Sequence, residues 1–170
     1  DAKSETDASW IANGTKIAFL REGEIWTMDA NGKNRKKLSD TEGAIEGYKF
    51  SPDGKKVILL KSLDYHGTIK KNPSDLPLAT GRLVTDMNYR HWDHYVEQIS
   101  HAFVADVTEN GIANVVDILE GEPYECPLAP FGGIEQLDWS IDSKLVAYTC
   151  RKKEGVDYAI STDADIYIYN

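Results

Sequence analysis

The sequence predicts an all-β fold: a partial β-propeller of about three four-stranded antiparallel blades, with a loop and short-helix insertion in the middle blade. Three observations predict it: a repeated aromatic–turn–apolar motif, second strands that are apolar at successive positions, and a spacing close to one blade. Trp10 and Phe50 open two motifs 40 residues apart, and propeller blades repeat about every 40–45 residues. An immunoglobulin-like sandwich would instead show one polar face along most strands.

The motif begins each repeat with an aromatic or apolar residue and a short polar turn. Its three copies lie at residues 8–20, 48–60 and 137–149. The turns Asn13-Gly14 and Pro52-Asp53-Gly54 supply the backbone angles that a tight reversal requires. In the third copy, Ile141-Asp142-Ser143 replaces Pro-Asp-Gly, which weakens the turn match there but not the strand match.

The run that follows each turn is apolar on every residue. These runs cover residues 17–20, 57–60 and 145–148. Successive side chains on a strand point to opposite faces, so a strand that is apolar on both must be covered on both. Stacked blades bury the two faces of their inner strands in this way.

Third and fourth strands complete each unit. The third strands are predicted at residues 24–29, 101–107 and 164–169, and fourth strands follow Asn-Gly turns at residues 34–38 and 113–118. The blades are therefore about 8–40, 46–120 and 134–170, within one segment, 1–170. The last blade stops before a fourth strand.

Three blades are too few to close a ring, because known propellers have about four to eight. Either the whole protein is longer or the chain assembles with another one, a homo-oligomer included. The polar start without an initiator Met reads as that of a processed or excised segment.

Residues 61–100 form the insertion, between the second and third strands of the middle blade. Thr85 to Gln98 are predicted to form a short helix, capped by Asp86. Its apolar stripe would consist of Met87, Trp92, Tyr95 and Val96. We expect the insertion to project from the blade edge toward a substrate channel, because long insertions on repeat scaffolds often carry function.

The insertion also holds the candidate ligand-binding side chains. Potential metal ligands are His91, Asp93, His94 and His101. No second ligand pair has zinc-like spacing, so we predict no metal and no cofactor. Arg82 and Arg90 form either a carboxylate clamp or structural ion pairs.

Two features near the third blade have competing interpretations. The acidic edge of Glu120, Glu122 and Glu125 either attracts an ammonium group or is a solvated loop. Phe131-Gly132-Gly133 reads as a turn. Cys126 and Cys150 are either bonded to each other or buried as free thiols.

Composition excludes several function classes. The 170 residues carry a net charge of −9, and the only dense basic cluster, residues 33–37, lies beside a turn, so we expect no nucleic-acid partner. No apolar run approaches the roughly 18–20 residues of a membrane span. There is no Gly-x-Ser-x-Gly nucleophile elbow and no phosphate-binding glycine loop before a helix. By its own residues, the chain is a scaffold or binding module without a catalytic residue.

Two groups of motifs carry a family resemblance. Phe50–Lys55 and Trp139–Lys144, each followed by strands of the pattern Asp/Glu-Ile-aromatic, resemble TolB-like and WD40-like propeller repeats. Such repeats also form the N-terminal propellers of prolyl oligopeptidase-family serine peptidases. The stretch Tyr89–Tyr95, followed by His101–Val104, resembles the acylaminoacyl- and dipeptidyl-peptidase-like branch.

The resemblance implies a C-terminal α/β-hydrolase domain whose Ser, Asp and His would cleave short peptides near their amino end. The propeller would act as a lid and filter and contact the substrate. The residues that would bind it are Arg82, Arg90, His91, Trp92 and Asp93. A periplasmic or secreted location is implied as well. The alternative is a TolB-like propeller that serves as a scaffold for protein partners.

Overall fold

The computed structural model describes residues 4–65, 69–70, 78, 83–87 and 90–170. The strands in this part are as follows: β1 (Glu5–Ile11), β2 (Lys16–Arg21), β3 (Glu24–Asp29), β4 (Lys36–Lys37), β5 (Gly47–Phe50), β6 (Lys56–Asp64), β7 (Ile69–Lys70), β8 (Leu83–Val84), β9 (Arg90–His91), β10 (His94–Tyr95), β11 (Gln98–Thr108), β12 (Gly111–Asp117), β13 (Leu137–Trp139), β14 (Val146–Cys150) and β15 (Asp165–Tyr169). A helix, α1, covers Gly155–Ile160, and 3-10 turns lie at Ala12–Gly14 and Ile134–Gln136.

The strands form three successive antiparallel sheets, which confirms the predicted fold class of a partial propeller. The first sheet has the order β1-β2-β3-β4, the middle sheet β12-β11-β6-β5, and the third β13-β14-β15. The middle sheet receives the insertion between β6 and β11. Within the insertion, β7 pairs with β8 and β9 with β10.

Strand β6 is buried on both faces, because the middle sheet lies between the other two sheets. Val57 and Leu59 pack toward the first sheet with Ala18, Leu20 and other apolar side chains. Ile58 and Leu60 pack on the opposite face with residues of the third sheet, such as Val146. All four β6 side chains are at most 3% exposed. The run is apolar at successive positions because each face has its own core.

Hydrogen bonds between sheets fix their relative positions. The Tyr48 hydroxyl donates to the Asp7 carbonyl at 2.5 Å. Trp139 Nε1 donates to the Lys49 carbonyl at 3.0 Å, and Lys49 Nζ donates to the Leu137 carbonyl at 2.7 Å. Aromatic side chains on the first strands of the middle and third sheets, Tyr48 and Trp139, therefore tie each sheet to the preceding one.

The predicted helix over residues 85–98 is wrong. The described residues there form the β9–β10 hairpin, in which His91 pairs with His94 and Arg90 with Tyr95. Of the predicted apolar stripe, only Val96 is buried. His, Trp, Asp and Tyr are weak helix formers, and a short helix needs a core on which to bury its stripe.

Two further features of the third blade are settled. Cys126 and Cys150 are free thiols, both fully buried, so the alternative of buried free thiols is the correct one. The long second hairpin, residues 151–163, contains α1, whose Tyr158 is buried. Among the described residues, no helix is both long and apolar enough to cross a membrane.

Candidate functional site

The site is built on a long ribbon formed by β6 and β11. Their pairing continues from Lys56 and Asp106 to Asp64 and Gln98, beyond the part that packs between sheets. Toward its end the strands turn polar, and Ser62 lies opposite Ser100. The ribbon thus carries a polar surface out from the edge of the middle sheet.

One face of the ribbon lines a groove of two cavities. The larger, of about 530 Å³, lies among the ribbon end, the hairpin residues His94 and Tyr95, and the loop residues Glu125, Pro127 and Ala129. The smaller, of about 290 Å³, reaches Tyr48 and Gly132. The two share Ser100 and Pro127 as lining residues. We call them together the groove.

The groove is acidic. The carboxylate side chains that line it are Asp7, Glu46, Asp64, Glu97, Glu125 and Glu135. No Lys or Arg occurs among its described lining residues. Walls of one charge sign focus the electrostatic potential, so this groove attracts cationic groups and repels anions.

Two of these carboxylates are held by hydrogen bonds. Glu46 accepts from the hydroxyl of Ser62 at 2.5 Å and from that of Ser100 at 3.2 Å. Glu125 is only 4% exposed and accepts from the buried hydroxyl of Tyr158. Burial and the adjacent Glu125 carboxylate raise the pKa of Tyr158, which keeps this phenol a hydrogen-bond donor.

An exposed aromatic pair stands beside the groove. The rings of Trp92 and Phe131 meet edge to face with centroids 5.3 Å apart, although their residues are 76% and 78% exposed. Trp92 comes from the β9–β10 hairpin and Phe131 from the loop that follows Ala129. The edge-to-face arrangement is a favourable one for two rings.

The hairpin that presents Trp92 is fixed by its own contacts. Arg90 Nε donates to the Trp92 carbonyl at 2.9 Å, and the Arg90 guanidinium lies 5.7 Å from the centroid of the Tyr95 ring. Trp92 has a φ of 47°, which is unusual for a bulky residue. Its strained backbone therefore depends on the contacts around it.

The predicted substrate-binding residues fall in different places. Arg82 and the side chain of His91 lie outside the described residues. Arg90 supports the hairpin, Trp92 forms the aromatic pair, and Asp93 is exposed at the turn. A hydrogen bond with His94 Nδ1, at 3.2 Å, holds the pKa of the Asp93 carboxyl below its usual range. Their roles in binding stay predictions.

The potential metal ligands do not form a cluster in the described part of the chain. His94 is exposed beside Asp93, whereas His101 is buried against Asp117, with Nδ1 at 2.8 Å from Oδ2. No group of three or more His, Cys, Asp or Glu side chains is arranged to hold a metal among the residues that the structure describes.

The sequence pattern does not reveal the positions of two residues here, Glu125, which lines the groove, and Phe131, which lies beside it. The sequence predicts Glu125 either in an acidic edge that attracts an ammonium group or in a solvated loop, whereas the structure buries it against Tyr158. The sequence predicts Phe131 as part of a turn, whereas its ring meets that of Trp92. An aromatic residue between Pro130 and a glycine pair is a detectable signal, whereas the burial of Glu125 depends on a residue 33 positions away.

The fold and the groove together define a propeller segment with an acidic surface groove beside an exposed aromatic pair. No family model matches the chain. It is 46% identical to dipeptidyl-peptidase 5 of Porphyromonas gingivalis over 171 residues, which cover 98% of this chain and 25% of that protein. Dipeptidyl-peptidase 5 of Porphyromonas endodontalis is 36% identical, over 95% of this chain and 24% of that protein.

Solved structures show the same fold at low sequence identity. An acylaminoacyl peptidase of Pyrococcus horikoshii matches 98% of this chain and 23% of its own, with a TM-score of 0.60 at 13% identity. An acylaminoacyl peptidase in complex with Z-Gly-Gly-Phe-chloromethyl ketone matches with a TM-score of 0.55 at 16% identity, over 97% of this chain and 23% of its own. The chain spans about a quarter of the length of these relatives.

Proposed function

We propose that the chain is the non-catalytic propeller portion of a serine exopeptidase and that its groove binds the amino end of peptide substrates. A C-terminal α/β-hydrolase domain would supply Ser, Asp and His. The propeller segment would gate access to that domain. The exposed Trp92–Phe131 pair beside an acidic groove is the observation that carries this proposal.

The charge of the groove favours peptides with a free amino terminus. Six carboxylate residues line it without Lys or Arg among its described residues. An α-ammonium group would gain from that potential, whereas an acylated amino terminus would not. The similarity to proteins named dipeptidyl-peptidase 5 supports the same substrate class.

The aromatic pair would supply apolar contact area for the peptide. Trp and Tyr carry much of the binding energy in many interfaces, and Arg is enriched there as well. Arg90, Trp92 and Tyr95 are neighbours on one short hairpin. Peptide binding would cover the exposed ring faces and remove them from water. From the resemblance, we also propose a periplasmic or secreted location.

The test is a kinetic comparison of variants in the intact protein on chromogenic dipeptide substrates. Trp92→Ala and Phe131→Ala are expected to lower kcat/KM about ten-fold, mainly through KM, because a lost aromatic contact is worth ~1–2 kcal/mol. Trp10→Ala is the matched control, since Trp10 is 64% exposed in the first sheet. It should leave kcat/KM unchanged.

Two results would contradict the proposal. If Trp92→Ala and Trp10→Ala had equal effects, the hairpin would have no special role in binding. If the intact protein hydrolysed no peptide and its gene continued into further blades without a Gly-x-Ser-x-Gly motif, the alternative of an interaction scaffold would be correct.

A further inference from the structure

A second cleft lies at the same ribbon and is distinct from the groove. It has a volume of about 710 Å³, and its walls include Leu63, Ile99, His101, Asp117 and Glu154. Of the groove residues that the structure describes, only Asp64 and Ile99 also line it. We call it the His101 cleft. Its volume far exceeds the ~30 Å³ that one water molecule occupies in the liquid.

His101 is a buried polar group with an unused nitrogen. The residue is 3% exposed, and its Nδ1 lies 2.8 Å from Asp117 Oδ2. The other oxygen of Asp117 accepts from the Leu119 amide at 2.9 Å. Among the described residues, His101 Nε2 has no hydrogen-bond partner. A buried polar atom of this kind calls for a partner.

The state of the imidazole follows from its neighbour. An ionised carboxylate only accepts hydrogen bonds, so the Nδ1 that faces Asp117 carries the hydrogen. In the neutral ring, Nε2 is then an acceptor. A ligand that satisfies this neutral form of His101 brings a hydrogen-bond donor.

Most of the other polar groups of the wall are carboxylates; the Tyr65 hydroxyl also lines it and donates to Asp86 at 3.3 Å. The carboxylate residues of the cleft are Asp64, Asp86, Asp117, Glu122 and Glu154. No Lys or Arg is among its described lining residues, and nearby Lys152 is paired with Glu122 at 2.6 Å. Leu63, Ile99 and Pro123 add apolar surface between the acidic groups.

We propose that the His101 cleft binds an aliphatic ammonium group, with a hydrogen bond to His101 Nε2, charge contacts to Asp117 and Glu154, and its methylene chain on Leu63 and Ile99. A lysine side chain and a free diamine share this chemistry. The proposal goes beyond the binding of substrate peptides in the groove, since the carboxylates of Asp117 and Glu154 and the imidazole of His101 do not line that groove.

The test is a titration of the intact protein with 1,5-diaminopentane, followed by the ring ¹⁵N shifts of His101. We expect a saturable change with a Kd of about 1 mM or below, while 1,5-pentanediol, the neutral analogue, causes none. Nα-acetyl-lysine amide separates the two sources. Equal affinity for it indicates a lysine side chain, whereas much weaker binding indicates a free diamine.

Variants localise the binding. Glu154→Gln is expected to weaken it about three- to five-fold, the effect of one partly exposed charge contact. Glu109→Gln is the matched control, an exposed carboxylate at the β11–β12 turn, and should change nothing. His101→Asn, which removes Nε2, is expected to abolish the saturable change, measured then by calorimetry.

Three results would overturn the proposal. The first is the absence of saturable binding of either amine to the folded protein. The second is equal binding of the neutral diol. The third is an equal loss of affinity in Glu109→Gln and Glu154→Gln. Such a result would mean that amine binding follows the net charge of the protein and not a specific site. Because Glu154 is exposed, its variant stays informative even if His101→Asn fails to fold.

Discussion

Ser143 occupies a backbone conformation that the preceding repeat reaches with glycine. Its φ is 62°, and that of Gly54 is 72°. The two turns share their side-chain bonds as well: Ser51 Oγ donates to Asp53, and Ser140 Oγ donates to Asp142, at 2.8 and 2.6 Å. The Ser-x-Asp pair, not the proline or glycine, is what the two turns have in common.

Burial determines the chemistry of the two cysteines. It raises the pKa of Cys126 to about 12 and that of Cys150 to about 11. Because thiolates are the reactive form, neither should react with a thiol reagent at pH 8 in the folded protein, and both should react after unfolding. Stoichiometric labelling of the native protein within minutes would contradict this prediction.

The same shifts give a pH dependence of stability. The unfolded chain releases the thiol protons near pH 9, whereas the folded chain holds them to about pH 11–12. The free energy of unfolding should therefore fall as pH rises from about 9 to 12. Denaturant unfolding at pH 8 and pH 11 measures it, and Cys126→Ala with Cys150→Ala should reduce the difference.

Strand β6 separates two hydrophobic cores. Leu59→Ala is expected to cost about 2–5 kcal/mol and Ile58→Val about 0.5–1.5 kcal/mol. The costs should be close to additive, because the two side chains lie on opposite faces of the strand and belong to different clusters. Urea unfolding measures these losses in the free energy of unfolding. Val116→Ala, at a 45% exposed position, is the control and should cost about 0.5 kcal/mol or less. Strong non-additivity would mean one shared core.

The outer faces of the end sheets differ in how they meet solvent. On the first sheet, the Arg21 guanidinium lies 5.3 Å from the Trp26 ring and that of Arg35 lies 5.6 Å from the Phe19 ring. Both arginines contact Glu5. Cation–π contacts thus cover these aromatic rings. On the third sheet, Ile166 and Ile168 are 76% and 60% exposed.

The sheets could be predicted from patterns in short stretches of the sequence, but the candidate site could not. Four successive apolar residues already indicate that other sheets cover both faces of a strand. The burial of β6 on both faces could therefore be predicted from its sequence alone. The groove depends on contacts between distant residues, such as Trp92 with Phe131 and Glu125 with Tyr158. The helix prediction for 85–98 failed because helical spacing alone does not tell whether a core exists for the stripe.

The exposed isoleucines of the third sheet, Ile166 and Ile168, predict self-association of the isolated chain. A bare apolar sheet face is a surface that soluble proteins avoid. Ile166→Thr with Ile168→Thr should lower the apparent mass in light scattering at high concentration, while Ile160→Thr, at a 76% exposed position of α1, should not. Equal apparent masses for the unchanged chain, the Ile166/Ile168 double variant and the Ile160 variant would contradict this prediction.

We propose that the groove between the ribbon and the Phe131 loop binds peptide, and hydrogen exchange of the intact protein can detect that binding at individual segments. In the presence of an active-site-directed dipeptide inhibitor, amide exchange should slow at residues 90–96 and 125–133 and stay unchanged in the first sheet at residues 16–29. Unchanged exchange in both groove segments, with inhibitor bound, would contradict the account.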